Sequence, residues 1–114
     1  MNIQKSVLAA AACVWLLGAA AVLAAPTAEN LELTAVRGQP TAGHLTAYDP
    51  EGGEVTFLLT TPPVKGTLEL DTDGRFVYTS APNRRGRDYF GYRVSDAAGR
   101  LSEEATVIIR IRRA

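Results

Sequence analysis

The feature that most constrains this chain is its rhythm. From Asn30 to Arg112 apolar and polar residues alternate in short runs, and Gly, Pro, Asn or Asp interrupts each run within a few residues. A period of two buries one face of a β-strand, whereas a helix needs a period near 3.6, and no window after Ala25 sustains that. The runs are Asn30–Thr34, Thr41–Tyr48, Val55–Thr60, Thr67–Leu70, Arg75–Thr79, Tyr89–Ser95 and Ala105–Arg112. The inward faces read Leu31 and Leu33; Val55, Phe57 and Leu59; Leu68 and Leu70; Phe76 and Tyr78; Phe90, Tyr92 and Val94; and Ala105, Val107, Ile109 and Ile111. Thr106, Arg110 and Arg112 fall on the opposite face of the last run.

The interruptions have turn chemistry. Asp49-Pro50-Glu51-Gly52-Gly53 combines a preset φ with glycines that accept positive φ, and Asp71-Thr72-Asp73-Gly74 reads as a tight hairpin loop. Asp96-Ala97-Ala98-Gly99 joins the last two runs. Pro62 and Pro63 cannot donate to a ladder and end the third. About seven short strands with turns every 8–12 residues predict an all-β fold, an antiparallel β-sandwich. Phe57, Phe76, Phe90 and Tyr92 belong in its core.

The N-terminal segment differs in kind. Lys5 and the amino terminus precede an uncharged run from Val7 to Ala25, with Val22-Leu23-Ala24 ahead of Pro26. That order is expected of a secretory signal peptide, residues 1–24, cut after Ala24 to leave a domain over 25–114. A retained membrane anchor is the rival, since the run is long enough to span a bilayer, but alanine inserts poorly. A lipobox at Ala10–Cys13 has too short an apolar stretch before the cysteine. The expected setting is exported: secreted, periplasmic or at the cell surface. The membrane is met only through the leader if it is not cleaved.

Residues 25–114 hold 11 basic and 12 acidic side chains and no cysteine. No long-range field therefore points to nucleic acid, and a disulfide, a thiol nucleophile and a Cys-ligated metal are excluded. His44 is the only histidine, so zinc lacks its ligands. A triad could be drawn with Ser80, Ser95 or Ser102, yet no nucleophile-elbow pattern surrounds any of them. Gly38–Leu45 has phosphate-loop glycine spacing but neither the Lys nor the following helix. Glu103-Glu104, read as strand neighbours, face opposite ways. Nothing here is a catalytic constellation, and the chain is read as a non-enzyme.

Gly86-x-Asp88-x-Phe90-x-Tyr92-x-Val94-x-Asp96-x-x-Gly99 resembles the signature of bacterial Ig-like, cadherin-like modules. Ala47-x-Asp49-x-Glu51-Gly52, Pro63-x-x-Gly66-Thr67 and Asp73-Gly74-x-Phe76-x-Tyr78 resemble three further pieces, in the family's order over residues 26–111. One departure is that Arg84 and Arg85 stand where such modules tend to carry an aromatic. The resemblance implies an Ig-like sandwich at the bacterial surface and a role in protein binding, adhesion or spacing. It implies no cofactor beyond a possible calcium ion, for which Asp49, Glu51, Asp88 and Asp96 supply oxygens. The structural alternative for these four is turn and loop capping. Arg84, Arg85, Arg87, Arg93 and Arg110 form a candidate basic patch for a protein or an anionic envelope component; the alternative is a solvated face that blocks edge pairing. Tyr48 and Tyr89 are the only aromatics for a carbohydrate-binding role.

Overall fold

The computed structural model describes residues 24–113, so the expected leader, with Lys5 and Cys13, lies almost wholly outside the described residues. Nine strands follow in order: β1 (Thr27–Ala28), β2 (Leu31–Val36), β3 (Pro40–His44), β4 (Ala47–Tyr48), β5 (Thr56–Thr61), β6 (Gly66–Leu70), β7 (Arg75–Ser80), β8 (Gly86–Ser95) and β9 (Ala105–Arg112). One sheet has the order β2-β9-β8-β5, a second β3-β7-β6, and β1 pairs with β4. All pairs are antiparallel except β2 with β9, which run parallel from Leu31 opposite Val107 to Val36 opposite Arg112.

The core lies between the sheets. Phe57, Phe90, Tyr92, Val94, Val107, Ile109 and Ala35 face Leu45, Phe76 and Tyr78, all buried. Each large apolar side chain so buried contributes about 1.5–3 kcal/mol. Phe76 meets Phe90 edge-on at 5.7 Å between ring centres, and Phe57 tilts on Tyr92 at 5.9 Å. The Tyr92 hydroxyl stays satisfied: it donates to the Glu29 carbonyl and accepts from the Glu29 amide at 3.1 Å.

Three expectations need correction. The run Thr41–Tyr48 is two strands, because at Leu45 the backbone leaves β7 and donates instead to the Gly74 carbonyl. Leu59 is 40% exposed, since β5 is an edge strand and its register against β8 slips between Leu59 and Thr61. Glu103 and Glu104 precede β9 and are not strand neighbours.

The topology sorts the connections into two ends. Residues 37–39, 62–65 and 81–85 lie at the end where β8 begins and β9 finishes. Residues 49–55, 71–74 and 96–104 lie at the other. Gly86 (φ 88°) and Gly99 (φ 87°) allow the sharp backbone turns that flank β8.

Candidate functional site

The four carboxylates considered for calcium do not all meet, because Asp88 lies apart from the other three. Asp88 is the third residue of β8 and Asp96 follows its last, so eight residues of extended chain, about 26 Å, separate them. Asp88 is 2% exposed and is a structural tie. Its Oδ1 accepts from the amides of Val64 (3.1 Å) and Tyr89 (2.9 Å), and its Oδ2 from the Lys65 amide (2.9 Å) and the Tyr78 hydroxyl (2.7 Å). Burial alone would raise its pKa, but these donors hold it below the usual carboxylate value. The same burial, with the Asp88 carboxylate alongside, pushes the Tyr78 phenol up. The pair pins the proline-containing β5–β6 loop to both sheets.

At the opposite end Asp49, Glu51 and Asp96 line a shallow depression of about 180 Å³ together with Arg100. Asp49 accepts from the amides of Glu51 (3.1 Å) and Gly53 (2.9 Å) and so closes its own turn. Asp96 Oδ1 accepts from the amides of Ala98 (3.0 Å) and Arg100 (2.8 Å), and its Oδ2 from Arg100 Nε (2.8 Å). The guanidinium then reaches Glu51 Oε2 at 3.2 Å. Burial works to raise the pKa of Asp96, but bonds to the amide and guanidinium of Arg100 hold it down. A calcium ion takes six to eight oxygen ligands, whereas the Asp49 and Asp96 oxygens already accept from amides and the Arg100 guanidinium. The four residues therefore do not fit the ion as a set. Among the described residues no group of three or more His, Cys, Asp and Glu is arranged to hold a metal.

The remaining polar groups are also placed by backbone bonding. Ser80 accepts from the Gly38 amide, Ser102 accepts from the Val94 amide and donates to the Glu103 carbonyl, and Ser95 donates to the Asp96 carbonyl. His44 is exposed and its Nε2 lies 3.2 Å from the Asp73 carbonyl, with no hydrogen bond to any of these hydroxyls. Glu104 lies over Gly91, where a Cβ would sit 2.3 Å from its Oε2, and accepts from Thr60 and Thr61.

The basic patch is built in part. Arg84 and Arg85 lie exposed in the loop between β7 and β8. Arg87 on β8 is directly opposite Arg110 on β9, a like-charged cross-strand pair. Arg110 reaches Glu32 at 2.5 Å, whereas Arg84, Arg85 and Arg87 make no ion pair among the described residues. Arg93 is six residues along β8 from Arg87, opposite Leu58, and does not join them. Tyr48 (61% exposed) and Tyr89 (44%) are on strands of different sheets and form no common platform.

Two structural ties escaped sequence reasoning. Arg100 carries a signal that could have found it, a basic residue four positions after the turn aspartate. The Tyr78–Asp88 pair carries none, because only the packing of the two sheets brings it together.

The family model described as the bacterial cadherin-like domain matches residues 23–113. No curated protein sequence matches the chain. Among solved structures, the SrpA adhesin from Streptococcus sanguinis aligns at 22% identity and a TM-score of 0.58, over 79% of this chain and 58% of its own. The endo-fucoidan hydrolase MfFcnA4 of glycoside hydrolase family 107 aligns at 18% and 0.62, over 77% of this chain and 14% of its own. A putative alpha-galactosidase from Bacteroides fragilis aligns at 16% and 0.59, over 77% and 18%. The chain thus spans a little over half of the adhesin structure and a minor part of each enzyme, and at these identities the likeness is one of fold.

Proposed function

We propose, for a chain that belongs to the bacterial cadherin-like domain family, a non-catalytic role in binding or spacing at the cell envelope. The observation that carries this reading is the division of labour among the charges. Asp49, Asp88 and Asp96 are committed to turns, loops and Arg100, so they hold the fold. Arg84, Arg85 and Arg87 are exposed without a carboxylate partner, so they are the side chains left to meet something else. Such a surface binds by complementary charge and needs no bound metal to form. An exported setting agrees with the expected leader over residues 1–24 and with the likeness to an adhesin.

The test is capture from an envelope extract of the source cells. The intact chain is expected to retain a reproducible protein partner, and the Arg84→Gln/Arg85→Gln/Arg87→Gln variant to lose it. Blank captures with a folded bait, or capture unchanged in the variant, would remove the reading. Retention on a glycan array instead would reassign the module to carbohydrate.

A further inference from the structure

The near-neutral total conceals a strong polarity along the sandwich. At the end where β8 begins, Arg37, Lys65, Arg84, Arg85, Arg112 and Arg113 occupy the connections and the chain's last described residues. Arg87 and Arg110 add the adjoining rung. Among the described residues, the only carboxylates near this end are Asp88, buried and saturated, and Glu32, paired with Arg110. At the other end Asp49, Glu51 and Glu54 stand in one connection and Asp71 and Asp73 in the next. Asp96, Glu103 and Glu104 stand in the third, against only Arg75, Arg93 and Arg100. Arg75 and Arg100 are already bound to carboxylates, whereas Glu54, Asp71 and Glu103 form no ion pair among the described residues.

Distance decides whether these ends cancel. β8 runs ten residues, about 30 Å, from one end to the other. Charges are screened over about 8 Å at physiological ionic strength, so an approaching partner senses one end at a time. The surface complementary to the basic end is therefore present on the molecule itself.

We propose that the basic end of one molecule docks on the acidic end of a second copy. This rests on the reading of the chain as a binding and spacing module, and names the partner as the chain itself. The contact joins two different patches at opposite ends of the molecule, so it does not close as a two-fold dimer, and it extends into head-to-tail strings. It would space the molecules along a line, each adding about one strand length.

The test is sedimentation velocity of the full chain over a wide concentration range, at about 0.02 M and about 1 M sodium chloride, where the Debye length falls from roughly 20 Å to about 3 Å. The weight-average mass is expected to climb with concentration at low salt and to return to monomer at high salt. Two variants neutralise one end each: Arg84→Gln/Arg85→Gln/Arg87→Gln, and Glu54→Gln/Asp71→Asn/Glu103→Gln. Each alone is expected to stay monomeric, with circular dichroism unchanged. An equal mixture keeps one intact end of each sign, so it is expected to form dimers and stop there. Monomers at every concentration, a wild-type dimer that does not grow, association indifferent to salt, or a mixture that stays monomeric would each overturn the proposal. Monomers that still capture an envelope partner would overturn it and leave the proposed function standing. Monomers retained only on an anionic polymer would reassign the basic end.

Discussion

Replacing Asp88 by asparagine is the sharpest single test of how this sandwich is held. The carboxylate accepts four hydrogen bonds, two on each oxygen. Asparagine keeps one oxygen and sets an amino group against the donors on the other side. Hydrogen bonds to a charged group contribute about 1.5–3 kcal/mol each, and a buried donor left without a partner costs about 1–3 kcal/mol. Two lost bonds therefore predict a loss of about 3–6 kcal/mol, a large part of the stability of a small domain. At about 4–8 °C per kcal/mol, the melting temperature falls by roughly 15 °C or more. Urea denaturation followed by far-ultraviolet circular dichroism gives the free energy, and Tyr78→Phe completes a double-mutant cycle. Tyr78→Phe alone is expected to cost about 1–2 kcal/mol and to cost much less once Asp88 is gone. An Asp88→Asn variant within about 0.5 kcal/mol of the parent, or a Tyr78→Phe cost that does not change in its background, would refute the tie.

Other outcomes follow from the same geometry. Gly66→Ala places a Cβ 2.3 Å from the Thr79 carbonyl oxygen, so a backbone shift costing about 1–3 kcal/mol is expected in the same assay. The folded pKa values of Asp88 and Asp96 lie below the ordinary aspartate value of about 3.8. Their contribution is present above that pH and lost as pH falls through the folded values, so an acid titration of stability should decline below about pH 4, less steeply in Asp88→Asn. Tyr78 is shifted the other way, above 10.0, so its contribution holds below pH 10 and is lost as pH rises beyond it. Gly91→Leu should displace Glu104 from Thr60 and Thr61 and loosen the β5 edge, read as faster amide exchange in β5 with the other strands unchanged.

Most of the fold was legible because it depends on period. The inward sets of β7, β8 and β9 are buried as the alternation predicts, from Phe76 and Tyr78 to Ile111. Leu59 was not, because an edge strand obeys its register slip as much as its pattern. The site was less legible for a different reason. Asp49, Asp88 and Asp96 each read as turn or loop residues in sequence; the run Tyr89–Ser95 already sets Asp88 a strand length from Asp96, but sequence spacing does not say which of them Asp49 and Glu51 join. Arg100 acquires its role only when β8 and the turn after Tyr48 are brought to the same end. The charge polarity is likewise invisible in a total near zero, and appears once the up-and-down path of the strands sorts the loops.

The central claim is that Asp49, Asp88 and Asp96 are committed to the fold and that Arg84, Arg85 and Arg87 are left free. Thermal unfolding in millimolar calcium and again in chelator tests it most directly, on the parent chain and on Arg100→Ala. An ion bound only by the native state at about 100 times its dissociation constant adds about 2.7 kcal/mol, roughly 10–20 °C for a domain of this size. The account predicts no shift in the parent, where Arg100 already bridges Asp96 and Glu51. A rise of that size in the parent, lost on Asp49→Ala, would contradict it and make the acidic end a calcium site.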